Sequence, residues 1–210
     1  MEGGADAGAM AVADGRTRRR LRNREAVVDA ILDLLGEGHA QPTSAQVSER
    51  SAVSLRSIFR LFDDMESLHR AAIARQAERV AALMTPMPST GPVADRVATL
   101  ADSRAVVLEA ITPVRRLAVR LAPTSPPLAA ELTRAAGAFR AQVADVFAAE
   151  LAVPGGGTGL LDALDVATSW EAWERLRVTQ GMAVDEARAV VARLVGALLG
   201  AAPPPPPPED

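Results

Sequence analysis

The stretch TSAQVSERSAVSLRSIFRLFDDMESL, residues 43–68, contains three helix starts in close succession. Thr43, with Gln46 three residues later, forms a capping-box pattern, in which a hydroxyl and a side-chain amide satisfy the free N–H groups of a helix start. Ser54 and the acidic run 63–66 have the same N-capping character. The predicted helices are a short one from Thr43 through Arg50, a second from Leu55 to Phe62, and a long one from Met65 to about Met84.

A longer helix precedes this stretch. Apolar residues with helical spacing predict a helix from Thr17 to Leu35, ended by Gly36 and Gly38; they are Val27, Val28, Ile31, Leu32, Leu34 and Leu35. Two short helices, joined through 51–53 and braced by a longer one, are typical of a helix-turn-helix. Neither short helix is stable alone, so both must pack on their neighbours.

The stretch 43–68 resembles the DNA-binding region of the TetR family of bacterial transcriptional regulators. The family pattern runs roughly T-x-x-x-I-A-x-x-A-G-V-S-x-G-T-L-Y-x-H-F-x-x-K-E-x-L, and the match has no gaps. The residues that fall on its characteristic positions are Thr43, Val47, Val53, Ser54, Ile58, Phe59, Phe62, Glu66 and Leu68. The resemblance implies an all-α protein, with an N-terminal three-helix DNA-binding domain followed by a larger helical domain for ligand binding and dimerisation.

Four positions depart from the family pattern. Met65 replaces a phosphate-binding Lys, and Phe59 replaces a Tyr whose hydroxyl binds phosphate; Arg56 replaces a small residue and Leu61 a His. Two phosphate contacts are therefore lost, and Arg56 with the neighbouring arginine-rich segment could restore them. Because phosphate contacts set much of the affinity and base contacts the sequence preference, we expect an unusual operator.

The second short helix is the predicted recognition helix. Arg56 and Arg60 are suited to guanine, and Leu55 to a thymine methyl group. Thr43 and Ser44, at a helix start, suit a phosphate as well as a capping role. The DNA-binding positions predicted from this region are Thr43, Ser44, Ser54, Leu55, Arg56, Ser57, Phe59 and Arg60. For Phe59, as for Phe62, a place in the core is favoured over a DNA contact.

The segment RTRRRLRNR, residues 16–24, holds six Arg and no acid. Arg18, Arg19 and Arg20 are predicted to contact DNA, as a basic arm that enters the minor groove. A solvated flexible tail is the alternative. The chain as a whole carries a formal net charge of −3, which argues against indiscriminate coating of nucleic acid.

The prolines and glycine of 86–92 predict a domain boundary, so residues 16–84 and 93–200 form the two expected domains. The predicted helices of the second are 93–112, 113–121, 127–151, Leu160–Gln180 and Val184–Leu199. The resemblance implies a homodimer through the last two helices, and the wide apolar stripe of Val184–Leu199 and the amphipathic pattern of Leu160–Gln180 fit such an interface. Residues 1–15 and the proline-rich tail, 201–210, are predicted to be disordered.

The resemblance also implies a small-molecule effector pocket in the second domain. The candidate lining residues are Phe139, Gln142, Thr168 and Trp170. Each of them is more often a core or capping residue than a ligand contact. An effector for such a pocket would be apolar or amphipathic.

Composition excludes several other classes. The chain has no Cys and two widely separated His, which excludes thiolate chemistry and makes a zinc site very improbable. No secretory signal or long apolar run is found, so we expect a cytoplasmic protein with no membrane contact. No catalytic constellation or cofactor motif is visible, and an enzyme is not expected. Two functions remain: a ligand-released repressor, or a helical scaffold of the same fold that has lost operator binding.

Overall fold

The computed structural model describes residues 4–84, 86–152 and 157–200, and its regular structure there is entirely helical. The helices are α1 (Gly4–Gly36), α2 (Ser44–Ser51), α3 (Leu55–Leu61), α4 (Met65–Ala81), α5 (Val93–Leu121), α6 (Pro126–Val146), α7 (Ala148–Leu151), α8 (Gly157–Ala167), α9 (Trp170–Glu174) and α10 (Val184–Leu198). A 3₁₀ turn, Ala122–Thr124, and a π-helical segment, Arg175–Thr179, complete them. The prediction of an all-α chain is confirmed. The predicted tail, 201–210, lies outside the described residues.

None of the helices in the described segments combines the length and the apolar character needed to cross a lipid bilayer. The chain divides into two compact units. The first comprises the described part of Met1–Glu78 together with Pro113–Ala118, and the second comprises Arg79–Thr112 with the described part of Val119–Asp210.

The core of the first unit is built on α1, which packs against both α2 and α3. All six apolar positions predicted to face inward on α1 are buried. Val47 of α2 and Ile58 of α3 are almost fully buried as well. Gly38, with φ of 93°, allows the chain to turn after α1, where the amides of Gly38 and His39 donate to the carbonyls of Leu35 and Leu34.

The start of α1 differs from the prediction. The helix begins at Gly4 instead of Thr17, so most of the segment predicted to be disordered, 1–15, is helical. Alternate residues from Ala5 to Ala13 are alanine, which has the highest helix propensity of all residues, and no proline interrupts them. The arginine-rich segment 16–24 is therefore part of a regular helix.

The turn between α2 and α3 contains a strained residue. Ala52 has φ of 55° and ψ of 23°, in the left-handed region where a Cβ atom is unfavourable. Val53 is buried beside it, and its carbonyl accepts a hydrogen bond of 2.8 Å from the Ser48 hydroxyl. These contacts hold the turn in a conformation that glycine would adopt at lower cost.

We therefore expect Ala52→Gly to stabilise the protein by about 0.5–1 kcal/mol, because glycine adopts positive φ without the Cβ penalty. Chemical denaturation measures this change. The control is Ala74→Gly at an exposed site within α4, which should destabilise by about 1 kcal/mol. Loss of stability in Ala52→Gly would show that the turn is not strained.

His69 is a buried titratable residue of α4, and its Nε2 atom has no hydrogen-bond partner. Burial lowers the pKa of His69 below its ordinary value of 6.5, and the carboxylates of Glu66 and Asp64 offset part of this effect. The folded state thus favours the neutral imidazole, whereas the unfolded chain protonates near pH 6.5.

Stability should therefore fall as the pH drops below 6.5 through the lower folded pKa, because the unfolded state binds the additional proton. Replacing His69 by Leu removes this contribution. Urea denaturation of both proteins between about pH 7.5 and about pH 5 should show a smaller loss of stability in the variant. Equal losses would contradict the assignment.

The second unit has its own apolar core, drawn from α5, α6, α8, α9 and α10. Val97, Leu100 and Leu108 of α5 meet Val143 and Val146 of α6 there. The predicted last helix, Val184–Leu199, is confirmed within one residue as α10. Its first turn is held by the Glu186 carboxylate, which accepts a hydrogen bond of 2.7 Å from the Ala183 amide.

Three further predicted helix boundaries are wrong. Pro113 does not divide α5, although it removes one backbone hydrogen bond, because buried residues flank it on both sides (Leu108 and Val114). The predicted helix 127–151 is interrupted at the fully buried Phe147, where α7 begins. Finally, α4 ends at Ala81, short of the predicted Met84.

The predicted helix Leu160–Gln180 is also wrong as a single element. It consists of α8, α9 and the π-helical segment, with a break at Thr168 and Ser169. Both side chains engage the local backbone there: the Thr168 hydroxyl donates to the Leu164 carbonyl at 2.9 Å, and Ser169 Oγ accepts from the Ala172 amide at 3.1 Å. The second contact is an N-cap that starts α9.

Candidate nucleic-acid interface

One face of α3 is exposed and carries both apolar and cationic groups. Leu55 is 42% exposed and Phe59 is 51% exposed, one helical turn apart. Arg56 and Arg60, also one turn apart, are exposed beside them. The interpretation of Phe59 as a core residue is therefore wrong, whereas that of Phe62 is confirmed because its side chain is buried. This face can offer apolar and hydrogen-bonding contacts to the same partner.

The caps at both short helices are formed as predicted. Thr43 and Gln46 make a complete capping box: the Thr43 amide donates to Gln46 Oε1 at 2.9 Å, and the Gln46 amide donates to Thr43 Oγ1 at 3.3 Å. Ser54 caps α3, and its hydroxyl donates to Ser57 Oγ at 3.1 Å. Thr43 and Ser54 remain exposed and Ser44 and Ser57 are half-buried, so these four groups combine a local structural role with access to solvent.

A cationic groove lies between the first half of α1 and α3. Its volume is about 560 Å³, and its lining residues are Arg16, Arg19, Arg20, Asn23, Ser57, Arg60 and Leu61. Two of the three arginines predicted as an arm, Arg19 and Arg20, thus meet the recognition-helix candidates Ser57 and Arg60. Arg18 does not line this groove. The signal that sequence reasoning missed is the helical spacing of 16, 19, 20 and 23.

Several other arginines of this unit have an acidic or aromatic partner, unlike those of the groove. Arg50 makes two hydrogen bonds of 2.7 Å to the Glu37 carboxylate, and Arg75 approaches Asp29 at 3.9 Å. The Arg24 guanidinium lies 5.1 Å from the centre of the Phe62 ring. Within the described residues, the cations without an ion pair include Arg16, Arg19, Arg20, Arg56 and Arg60. Positive charge is therefore left uncompensated on α3 and on the adjacent part of α1.

The two histidines do not form a metal site in the described segments, where no group of three or more candidate ligands comes together. His39 Nδ1 lies 3.3 Å from Gln46 Nε2, beside the capping box. His69 is enclosed in the first unit. His39 therefore lies beside a helix cap and His69 lies in the interior, and both are positions of structural residues.

Two of the four predicted effector contacts meet at a buried arginine that the sequence analysis did not identify. Arg104 is 0% exposed; it donates to Gln142 Oε1 at 2.6 Å and to the Phe139 carbonyl at 3.1 Å, and its guanidinium lies 4.6 Å from the centre of the Phe139 ring. Its Nε atom has no partner. Burial lowers the pKa of Arg104 to about 10, and the nearby Asp165 carboxylate opposes this. The sequence does not indicate this burial, because apolar and charged residues are mixed along α5.

The other two predicted effector contacts lie at the α8–α9 break. Thr168 is buried and bonded to its own helix, and Trp170 donates from Nε1 to the Thr112 hydroxyl at 3.0 Å. Trp173 similarly donates to Glu109 Oε1 at 2.7 Å, which also accepts from Arg177 Nε at 2.8 Å. All these polar groups are satisfied within the unit.

The apolar faces predicted to form a dimer are partly used inside the protomer. Leu164, Trp170, Trp173 and Leu176 are buried in the core of the second unit. On α10, Ala187, Val191 and Val195 are buried as well, whereas Leu194 is 45% exposed and Leu198 is 38% exposed. The wide stripe on α10 therefore has one face in the protomer core and a second face open to solvent.

Comparison with protein-family models and with curated proteins gives no match for this chain. The assignment of a function therefore depends on the local geometry and on the resemblance of residues 43–68.

The contrast between two buried arginines of α5 gives a test of the second unit. Arg96 is paired with Glu150 through contacts of 2.9 and 2.5 Å, whereas Arg104 has only neutral acceptors. We expect Arg96→Met to destabilise by about 3 kcal/mol, because it leaves a carboxylate without its partner. Arg104→Met should cost less than about 1 kcal/mol, because it also removes a charge that burial penalises.

Urea denaturation at neutral pH measures both changes. Equal destabilisation by the two substitutions would show that the neutral contacts of Arg104 stabilise as strongly as an ion pair.

Proposed function

We propose that the chain is a DNA-binding transcriptional regulator of the TetR type. In this proposal α2 and α3 form the helix-turn-helix of an N-terminal DNA-binding domain, residues 16–84, and α3 enters the major groove. The observation that carries it is the exposed face of α3, where Arg56 and Arg60 have no acidic partner among the described residues. A structural role inside the unit leaves these cations unexplained, whereas a polyanionic partner accounts for them.

The chemistry of this face suits the edges of base pairs. A guanidinium can donate two hydrogen bonds to O6 and N7 of guanine, which is the role proposed for Arg56. Leu55 and Phe59, exposed on the same helix, offer apolar contacts to thymine methyl groups. The Thr43 and Ser44 end of α2 can contact a phosphate through N–H and hydroxyl groups, as helix starts do.

The second domain, residues 93–200, is the proposed site of dimerisation and regulation. The homodimer would form through the regions Leu160–Gln180 and Val184–Leu199, with the exposed Leu194 and Leu198 as candidate contacts. A twofold dimer must present its recognition helices about 34–36 Å apart, one turn of DNA. A small apolar or amphipathic effector that favours another spacing would release the operator. The proposed regulator is thus a repressor, and its proposed location is the cytoplasm.

A scaffold that has lost specific operator binding is the second candidate. It is favoured by Met65 and Phe59, which lack the phosphate-binding groups of the family pattern. The exposed pair Leu55 and Phe59 would then contact a protein partner.

The two candidates differ in specific DNA binding. We expect the wild-type chain to shift DNA from upstream of its own gene and of the neighbouring genes, in a gel assay with competitor DNA. Arg56→Ala should weaken specific binding by about 1–3 kcal/mol, roughly 5- to 150-fold, because it removes a bidentate base contact.

The matched control is Arg120→Ala, which removes the same charge from an exposed position in the last turn of α5, outside both proposed interfaces. It should leave specific binding unchanged. A chain with no specific shift, or with equal losses in the two variants, would favour the scaffold.

A further inference from the structure

The cationic groove between α1 and α3 brings four guanidinium groups together without an acid. Its lining includes Arg16, Arg19, Arg20 and Arg60, and none of them has an ion-pair partner among the described residues. The other lining groups are the neutral side chains of Asn23, Ser57 and Leu61. Like charges placed close together on a helix are mutually destabilising, so an anion in the groove would relieve their repulsion.

The arginines of α1 are arranged as one face of the helix. Positions 16, 19, 20 and 23 recur at intervals of three and four residues, which places them on the same side of a helix. Arg18 falls on the opposite side of α1, does not line the groove and is exposed. The cluster is therefore a property of the helical conformation, which an unfolded arm would not provide.

The length of this face matches several phosphates. The seven residue steps from position 16 to position 23 rise about 10 Å along the helix axis. One DNA strand carries a phosphate for roughly every 3.4 Å of the duplex axis, so α1 laid along that axis would span about three phosphates. The groove is also continuous with α3, because it is lined by Ser57 and Arg60 of that helix.

We propose that Arg16, Arg19 and Arg20 of α1, with Arg60 of α3, form a rigid clamp for the phosphodiester backbone of DNA beside the bases that α3 contacts. The identity of the partner, DNA, rests on the proposed DNA-binding function. The clamp itself does not require a specific operator sequence. It replaces the flexible minor-groove arm predicted from the sequence with a preformed helical site. A preformed site loses less conformational freedom on binding than a segment that must fold first.

A clamp for phosphates acts through charge, so its removal should change the salt dependence of binding. The test is the binding of a labelled random-sequence duplex to the full chain by fluorescence anisotropy over a series of salt concentrations. Replacing Arg16, Arg19 and Arg20 together by Gln, which is also a good helix former, should reduce the slope of log K against log salt concentration by about 2 to 3.

Matched single variants give the positional control. Arg20→Gln should lower the slope by about 1, whereas Arg18→Gln, with the same charge change on the opposite side of α1, should lower it much less. Circular dichroism checks that helix content is unchanged. A wild-type slope in the triple variant, or equal slopes in the Arg20 and Arg18 variants, would overturn the clamp.

The same experiment separates this inference from the proposed function. If the wild-type chain binds random duplex through the clamp but recognises no operator, the regulator fails and the clamp stands. Inorganic tripolyphosphate tests the other source of phosphate groups. If tripolyphosphate displaces the duplex from the wild-type chain but not from the triple variant, the clamp is supported. If the chain binds tripolyphosphate tightly but does not bind the duplex, DNA is overturned as the occupant.

Discussion

The burial of two short helices on α1 is the constraint on which the first unit depends. Helices α2 and α3 have eight and seven residues, well below the length of about 12–15 at which an isolated helix becomes marginally stable in water. They persist because Val47 and Ile58 are removed from solvent against α1. The direction in which α3 presents Arg56 and Phe59 is therefore set by the apolar face of α1.

The charge of each part of the surface depends more on the arrangement of ion pairs than on the net charge of the chain. The chain is formally negative, with a net charge of −3, yet α1 and α3 carry cations without acidic partners. In the second unit the pattern is different: Arg96 pairs with Glu150, Arg140 with Asp162 and Arg188 with Asp102. A negative protein can thus offer a positive surface where its acids are engaged elsewhere or absent.

Much of the first unit could be predicted from its sequence because its determinants are local. Capping groups act within three or four residues, and the caps of α2, α3 and α4 form at Thr43, Ser54 and Asp64, where the last accepts a hydrogen bond of 2.7 Å from the Ser67 amide. The start of α1 differs from the prediction because the alternating alanines of its first turns support a helix despite the glycines and acids between them.

The other differences between the predicted and observed helix boundaries and burial have tertiary causes. Packing carries α5 through Pro113, although local rules end a helix there. The break at Thr168 and Ser169 depends on side chains that bond to the backbone, which amphipathic spacing does not reveal. Burial of Arg104 was equally hidden, since it depends on contacts with α6 from 35 and 38 residues away in the chain. The exposure of Phe59 likewise depends on which side of α3 faces α1.

The neutral contacts of Arg104 have a consequence for behaviour at different ionic strengths. Mobile ions screen exposed pairs such as Arg188–Asp102, which joins α10 to α5, and weaken them as salt is added. The bonds from Arg104 to an amide oxygen and a backbone carbonyl of α6 are enclosed and contain no opposite charge to be screened. The polar contact of α6 with α5 should thus tolerate concentrated salt, whereas the Arg188–Asp102 contact weakens and leaves α10 held by its buried apolar residues Ala187, Val191 and Val195.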